Sequence, residues 1–286
     1  MLALFNIANS ITQEVKRMIT IREYFKAKTL EEAYGQLICN RKNTVFGGGA
    51  FIRMGSKNIP LAIDLSEAGL AYIEEDEHEI KIGAMTTFGD IEHSQLLSKY
   101  FDNMLAKSVR EIVGIQLRNI VTVGGTVYSR YGFSDFLTGL LALDTYVNLY
   151  KGGTIPLERF LKEGPKEEDI LENLSIKKDN RKATFLSMRN CKGDYAILNV
   201  ALSNLDGKFR IAVGARPNRA TLAYEAMKYL DRLNNQITKE DIHKAAKIAS
   251  EELVFGTNTR GSSFYRKQIC YVLIKQGLME VLGYED

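Results

Sequence analysis

Gln116-Leu117-Arg118-Asn119-Ile120-Val121-Thr122-Val123-Gly124-Gly125-Thr126 is the stretch on which the reading of this chain turns. Its apolar run, Ile120 to Val123, reads as a strand, and that strand ends in a glycine pair flanked by the hydroxyls of Thr122 and Thr126. Glycines at a strand end carry no Cβ and accept positive φ. Several backbone N–H groups can then turn into one concavity and bind phosphate oxygens. Upstream, Phe46-Gly47-Gly48-Gly49-Ala50-Phe51 repeats the arrangement after the β-like run Thr44-Val45-Phe46. Two such loops suit the two phosphates of a dinucleotide, and two structural turns explain the same glycines. Neither loop has the G-x-G-x-x-G spacing of a Rossmann fold or the Gly-Lys-Ser/Thr ending of a Walker loop.

Outward from the second loop lie further candidates. Asp135 precedes the apolar stretch Phe136 to Leu143, where its carboxylate either accepts hydrogen bonds from ligand hydroxyls or caps a helix. Tyr128 and Tyr131 follow the glycine pair closely enough for a ring to cover a flat cofactor, although core packing explains them equally. Arg118 and Asn119 are placed to position the loop or to meet a carboxylate. His78, His93 and His243 are isolated from one another and from the cysteines, so no metal site is expected. There is no G-x-S-x-G nucleophile elbow, and Ser262 and Ser263 read as helix caps.

Around these loops the chain is mixed α and β. Thr29 caps a helical pattern carrying Leu30, Ala33, Tyr34 and Leu37 on one face, and Leu61 to Leu65 and Glu79 to Gly83 read as strands. Thr87 with Asp90 marks a helix start whose buried face includes Ile91, Leu96 and Leu97. Charged residues, Gly164 and Pro165 dilute the apolar pattern between Phe160 and Lys182, although Ile170, Leu171, Leu174 and Ile176 suit one strand. The domain boundary is placed near Asn180. Beyond it, Asp206-Gly207 sits between two apolar runs as a hairpin turn. Leu222 to Leu230, Lys239 to Leu253 and Ser262 to Leu282 then have helical period, with Thr238 and Ser262 or Ser263 as caps. The fold class is α+β, with residues 1–17 an extension, residues 18–179 one domain, and residues 180–286 a smaller domain of sheet followed by helices.

Composition limits the function. At 286 residues the chain is long enough for two cored domains, and a net charge of +3 with evenly spread lysines and arginines lacks the basic footprint of a nucleic-acid binder. Cys39, Cys191 and Cys270 are three cysteines at wide spacing. They suit reduced thiols in a cytoplasmic protein and form no iron–sulfur or zinc motif. No apolar run approaches the ~20 residues of a membrane span.

Taken together, Val45 to Phe51 and Gln116 to Thr126 resemble the two FAD loops of the xanthine dehydrogenase and carbon monoxide dehydrogenase flavoprotein subunits, within the molybdenum hydroxylases. The likeness continues through Ser134-Asp135-Phe136 and Gly139-Leu140-Leu141-Ala142-Leu143-Asp144. It resumes in Arg189 with Asp194-Tyr195-Ala196 and in Arg260-Gly261-Ser262 with Tyr265-Arg266. It implies a two-lobed FAD-binding domain of the vanillyl-alcohol-oxidase or PCMH type, followed by the smaller α+β domain. It further implies partners: a molybdopterin subunit that oxidises the substrate and an iron–sulfur subunit that relays electrons to this subunit's FAD, and from there to NAD or another acceptor.

Residue by residue, the resemblance places Val45, Phe46, Gly47, Gly48, Gly49, Ala50 and Phe51 against the FAD, together with Thr122, Gly124, Gly125 and Thr126. Tyr128, Ser129, Ser134 and Asp135 fall nearby, and Leu171 near the flavin ring. The chain departs from the pattern at Gly49 and Ala50, where relatives carry polar side chains. It departs again at Thr126, usually asparagine, and at Leu186, often lysine. Two other readings stay open: a stand-alone flavin oxidoreductase of this fold, for which no substrate acid or base stands out, and an assembly subunit with a degenerate FAD site.

Overall fold

The computed structural model describes residues 18–233 and 236–284, so the extension expected over residues 1–17 lies outside it. The first lobe opens with β1 (Thr20–Lys26), α1 (Leu30–Cys39), β2 (Thr44–Phe46) and β3 (Asn58–Asp64), whose strands form a parallel sheet of order β1-β3-β2. Thr29 caps α1 by accepting from the Glu32 N–H, and Ala33 and Leu37 turn inward as their spacing predicts. Because β2 stops at Phe46 opposite Asp64, the glycine run leaves the sheet at the carboxyl ends of its strands.

The second lobe contains β4 (Ile73–Glu75), β5 (Glu79–Gly83), α2 (Phe88–His93), α3 (Met104–Arg110), α4 (Ile115–Arg118), α5 (Val123–Ser129) and α6 (Asp135–Leu141). Then come β6 (Thr145–Leu149), β7 (Gly153–Pro156), α7 (Leu157–Glu163) and β8 (Leu171–Lys177). Its strands make a five-stranded antiparallel sheet, order β4-β5-β8-β6-β7. Thr87 and Asp90 form the expected capping box of α2. The helix is shorter than expected, ending at His93, so Leu97 reaches the core from a separate 3-10 turn.

One expectation is corrected here. Residues 120–123 are not a strand: a single bridge pairs Thr122 with Thr87, and the chain turns at once into α5. Thr122 Oγ1 accepts from the Gly125 N–H at 3.2 Å, an N-cap that competes with continued extension and wins. Gly124 and Gly125 therefore lie in the first turn of a helix.

The remainder holds β9 (Lys182–Met188), β10 (Leu198–Leu205), β11 (Lys208–Gly214), β12 (Thr221–Leu222), α8 (Tyr224–Asp231), α9 (Lys239–Glu252) and α10 (Ser263–Leu282). The antiparallel sheet, order β12-β11-β10-β9, is built on the expected hairpin. Asp206 and Gly207 both have positive φ, 49° and 85°, as a two-residue turn matching strand twist requires. Thr238 and Ser262 cap α9 and α10. Both faces of this sheet are covered. Leu198, Val200 and Leu202 pack on the helices, while Asn199, Ala201 and Ser203 alternate toward α6 and the preceding lobe.

Candidate functional site

The two glycine segments meet. A Cβ on Gly48 would lie 1.5 Å from the Ile120 carbonyl oxygen, and one on Gly47 would lie 2.5 Å from Thr122 Oγ1. These glycines exist so that one segment can dock on the other. Gly124 likewise sits against Ala84, 2.8 Å from a built Cβ, and donates its N–H to the Ala84 carbonyl at 2.7 Å. Gly125 differs: apart from Thr122 Oγ1 at 3.0 Å, a Cβ there meets open space.

Between the segments lies a cavity of about 550 Å³. Of the residues expected at the site, Val45, Phe46, Gly47, Gly48, Gly49, Ala50, Phe51, Thr122, Gly124, Gly125, Thr126, Tyr128, Ser129 and Leu171 all line it. Among the described residues, the N–H groups of Gly47, Gly48, Gly49, Ala50 and Phe51 donate to no protein acceptor. Gly49 takes φ +70°, which turns this row of donors around a corner. Thr126 Oγ1 is buried in the wall without a partner. Gly48 is exposed and Gly47, Gly49 and Phe51 are half-buried, so a ligand entering the cavity can reach this part of the chain, and a row of N–H groups at a bend is a seat for phosphate oxygens. The donor set fits a pyrophosphate-bearing cofactor. The missing polar side chains at Gly49 and Ala50 leave that main-chain seat whole.

Ser134 and Asp135 stand apart from this cavity. They line a second one of about 40 Å³ that shares Phe51, Val121, Thr126 and Tyr131 with the first. Ser134, not Asp135, caps α6, accepting from the Leu137 N–H. The Asp135 carboxylate is 3% exposed and is held by Arg189 and by the Asn199 amide. Burial pushes its pKa up, opposed by the charge and hydrogen bond of Arg189 and the hydrogen bond of Asn199. Arg189 also donates to the Asp194 carbonyl at 2.6 Å and to Glu111 at 3.2 Å, so it fastens the Asp194-Tyr195 turn to α6. Around the same cavity Phe51, Tyr131, Phe133 and Tyr195 form an aromatic cluster, with Tyr131 stacked on Phe133 at 5.0 Å.

Other side chains are similarly occupied. Tyr128 accepts from the Asp169 N–H at 3.3 Å, and burial raises its pKa. Arg118 pairs with Glu92 at 2.7 Å. Leu186 packs on the helices of the C-terminal sheet. Asn43, Lys57, Glu168 and Asp169 also line the large cavity without having been singled out in the sequence. They sit in polar loops with no pattern of their own, and Asp169 is spent on the N–H groups of Lys151, Gly152 and Ile170. Among the described residues no group of His, Cys, Asp and Glu is placed to hold a metal ion.

Comparison with known proteins gives the arrangement its context. Residues 16–176 match the model of the FAD binding domain in molybdopterin dehydrogenase, and residues 183–281 match the CO dehydrogenase flavoprotein C-terminal domain. The glyceraldehyde dehydrogenase medium chain of Sulfolobus acidocaldarius is 25% identical, over 90% of this chain and 97% of its own length. Subunit alpha of the 6-hydroxypseudooxynicotine dehydrogenase complex of Paenarthrobacter nicotinovorans is 28% identical, over 78% of this chain and 79% of its own. The crystal structure of the Cu,Mo-CO dehydrogenase shares the fold, with a TM-score of 0.84 at 20% identity over 93% of this chain and 99% of that one. With a flavin-domain match over more than half its length and a cavity whose donors suit the cofactor, the chain belongs to the FAD-binding subunits of the molybdenum-hydroxylase dehydrogenases, and FAD is its cofactor.

Proposed function

We propose that this subunit takes electrons from an iron–sulfur partner and passes them through FAD to NAD or another acceptor, in a cytoplasmic complex whose molybdopterin subunit oxidises the substrate. We place the boundary between the FAD-binding domain, residues 18–179, and the C-terminal domain, residues 180–286, in the turn between β8 and β9, where the chain passes from one sheet to the next. Bound FAD supplies redox chemistry able to meet both one- and two-electron partners. The protein supplies the seat: N–H groups from Gly47 to Phe51 for the pyrophosphate, the Thr126 hydroxyl, and the walls made by Val45, Tyr128, Ser129 and Leu171.

The observation that carries this reading is the row of unpaired N–H donors on residues that line one cavity. It favours a flavin-loaded subunit over a degenerate assembly subunit, since the main-chain donors survive the loss of side chains at Gly49 and Ala50. Among the described residues no helix is long and apolar enough to cross a membrane. Purification from the native source, with flavin absorbance, molybdenum and iron measured on the same fraction, tests the proposal. A yellow protein with both metals, reducing an acceptor on addition of substrate, is expected. A yellow protein without metals but with its own dehydrogenase activity would establish a stand-alone enzyme, and a colourless protein that takes up no added FAD would sink both.

A further inference from the structure

Most buried arginines in this chain are matched. Arg118 meets Glu92, Arg181 meets Asp179 and Asp144, Arg189 meets Asp135, and Arg266 meets the carbonyls of Ile197, Gly256 and Gly261. Arg130 is not. It is partly buried, its Nε is closed off from solvent without an acceptor, and among the described residues its guanidinium has no hydrogen bond or ion pair. Its backbone is unfavourable as well: it ends α5 at φ 51°, in the left-handed region that residues with a Cβ avoid.

Glycines build the seat of this side chain. A Cβ on Gly164 would lie 2.7 Å from Arg130 Nη1 and 2.8 Å from Cζ, so a side chain at 164 would displace the guanidinium. Gly132 admits the main chain of Asn218 and Arg219 from across the domain junction, where a Cβ would lie 2.6 Å from the Asn218 carbonyl oxygen and 3.2 Å from the Arg219 nitrogen. The Ala215 N–H donates to the Gly132 carbonyl at 3.0 Å, and Arg216 holds the Arg219 carbonyl at 2.9 Å. The exposed Arg219 side chain likewise has no acceptor among the described residues. Burial and then the nearby charge of Arg219 lower the pKa of Arg130, and no carboxylate is among the charges that act on it. Ser129 and Tyr131, on either side of Arg130, line the large cavity, whereas neither Arg130 nor Arg219 is among its lining residues.

We propose that Arg130 and Arg219 form an anion site across the domain junction that takes a phosphate-type oxyanion, separate from the N–H groups of Gly47 to Phe51. Guanidinium forks match phosphate oxygens, and an oxyanion between two like charges relieves their repulsion while giving acceptors to the unpaired Nη groups, which, unlike Arg130 Nε, are open to solvent. The separation follows from α5: Thr122, which touches Gly47, begins the helix, and Arg130 ends it about 12 Å away. The oxyanion belongs either to free phosphate or to the diphosphate of a nucleotide electron acceptor, and only the second source rests on the function proposed above.

Calorimetric titration of the FAD-loaded protein at low ionic strength with inorganic phosphate, inorganic pyrophosphate and NAD tests this. The variants are Arg219→Gln, whose exposed side chain makes misfolding a minor concern, and Arg130→Gln with Arg219→Gln. Pyrophosphate is expected to bind the wild type and to weaken at least tenfold in the double variant, with flavin content unchanged. A parallel loss of NAD binding assigns the site to a nucleotide, and unchanged NAD binding assigns it to the free anion. Pyrophosphate that fails to bind the wild type, or binds the variants equally well, overturns the proposal, as does loss of FAD with the arginines. If the protein carries no FAD, the same titration on the apo-protein tests the arginine pair independently of the flavin reading.

Discussion

Asp135 is a carboxylate whose partners lie inside the protein. Asp135→Ala would leave Arg189 buried with only Glu111 and the Asp194 carbonyl. We expect the flavin-free protein to lose about 3 kcal/mol, the low end for breaking a buried pair, read by thermal melting of the apo-protein. Unchanged melting, with FAD binding weakened ten- to a hundredfold, would instead make Asp135 a direct ligand contact. The glycines sort in the same way. Gly125→Val points a branched side chain into open cavity space and should abolish FAD retention in a folded protein, whereas Gly48→Ala collides with the Ile120 carbonyl and should destabilise the fold itself. Flavin stoichiometry and melting on both variants check the contrast, and equal flavin content in Gly125→Val and wild type would count against the cavity. Cysteine reactivity follows burial: the Cys270 thiol is pushed up to about 12, while Cys39 and Cys191 are exposed. An aromatic disulfide reagent should therefore label Cys39 and Cys191 in the native state and reach Cys270 only on unfolding.

Among the elements, α9 is closed by Thr238 and Asp241. The Asp241 carboxyl is held down to about 2, first by the Thr238 hydroxyl, then by the Tyr229 hydroxyl and the Thr238 N–H. A carboxyl depressed in the folded state contributes stability that is complete above its unfolded pKa, about 3.9, and is lost as pH falls through the folded value. Protection against amide exchange in the first turn of α9, taken relative to the intrinsic rate at each pH, should thus fall between about pH 4 and pH 2. Asp241→Asn should flatten that dependence, and an identical pH profile in the variant would refute the assignment. The same capping logic explains why residues 120–123 are not a strand. Their apolar run is real, but Thr122 accepts from the Gly125 N–H and starts α5, and a local cap is decisive where a single bridge, to Thr87, rewards extension.

At the scale of the molecule, the C-terminal sheet is buried on both faces, and its contact with the flavin-binding part is tied by Arg181 and Arg210 to Asp144. Arg181→Met should uncouple the two parts, turning one cooperative melting transition into two, and a single sharp transition in the variant would show that apolar packing alone carries the coupling. The caps at Thr29, Thr87, Thr238 and Ser262, the hairpin at Asp206-Gly207 and the two glycine segments were all legible in the amino-acid order, because each acts over a few residues. What Asp135 does was not, since its partners Arg189, just past β9, and Asn199, on β10, are 54 and 64 residues away and meet it only when the C-terminal sheet docks on α6. Nor was the division of the glycines, or the approach of the Asn218–Arg219 main chain to Gly132 across the junction. Local backbone preference determined where the loops, turns and helix starts fall; long-range packing decided which groups are satisfied by the protein and which remain for a ligand, because desolvation and charge pairing depend on neighbours that only the folded chain brings together.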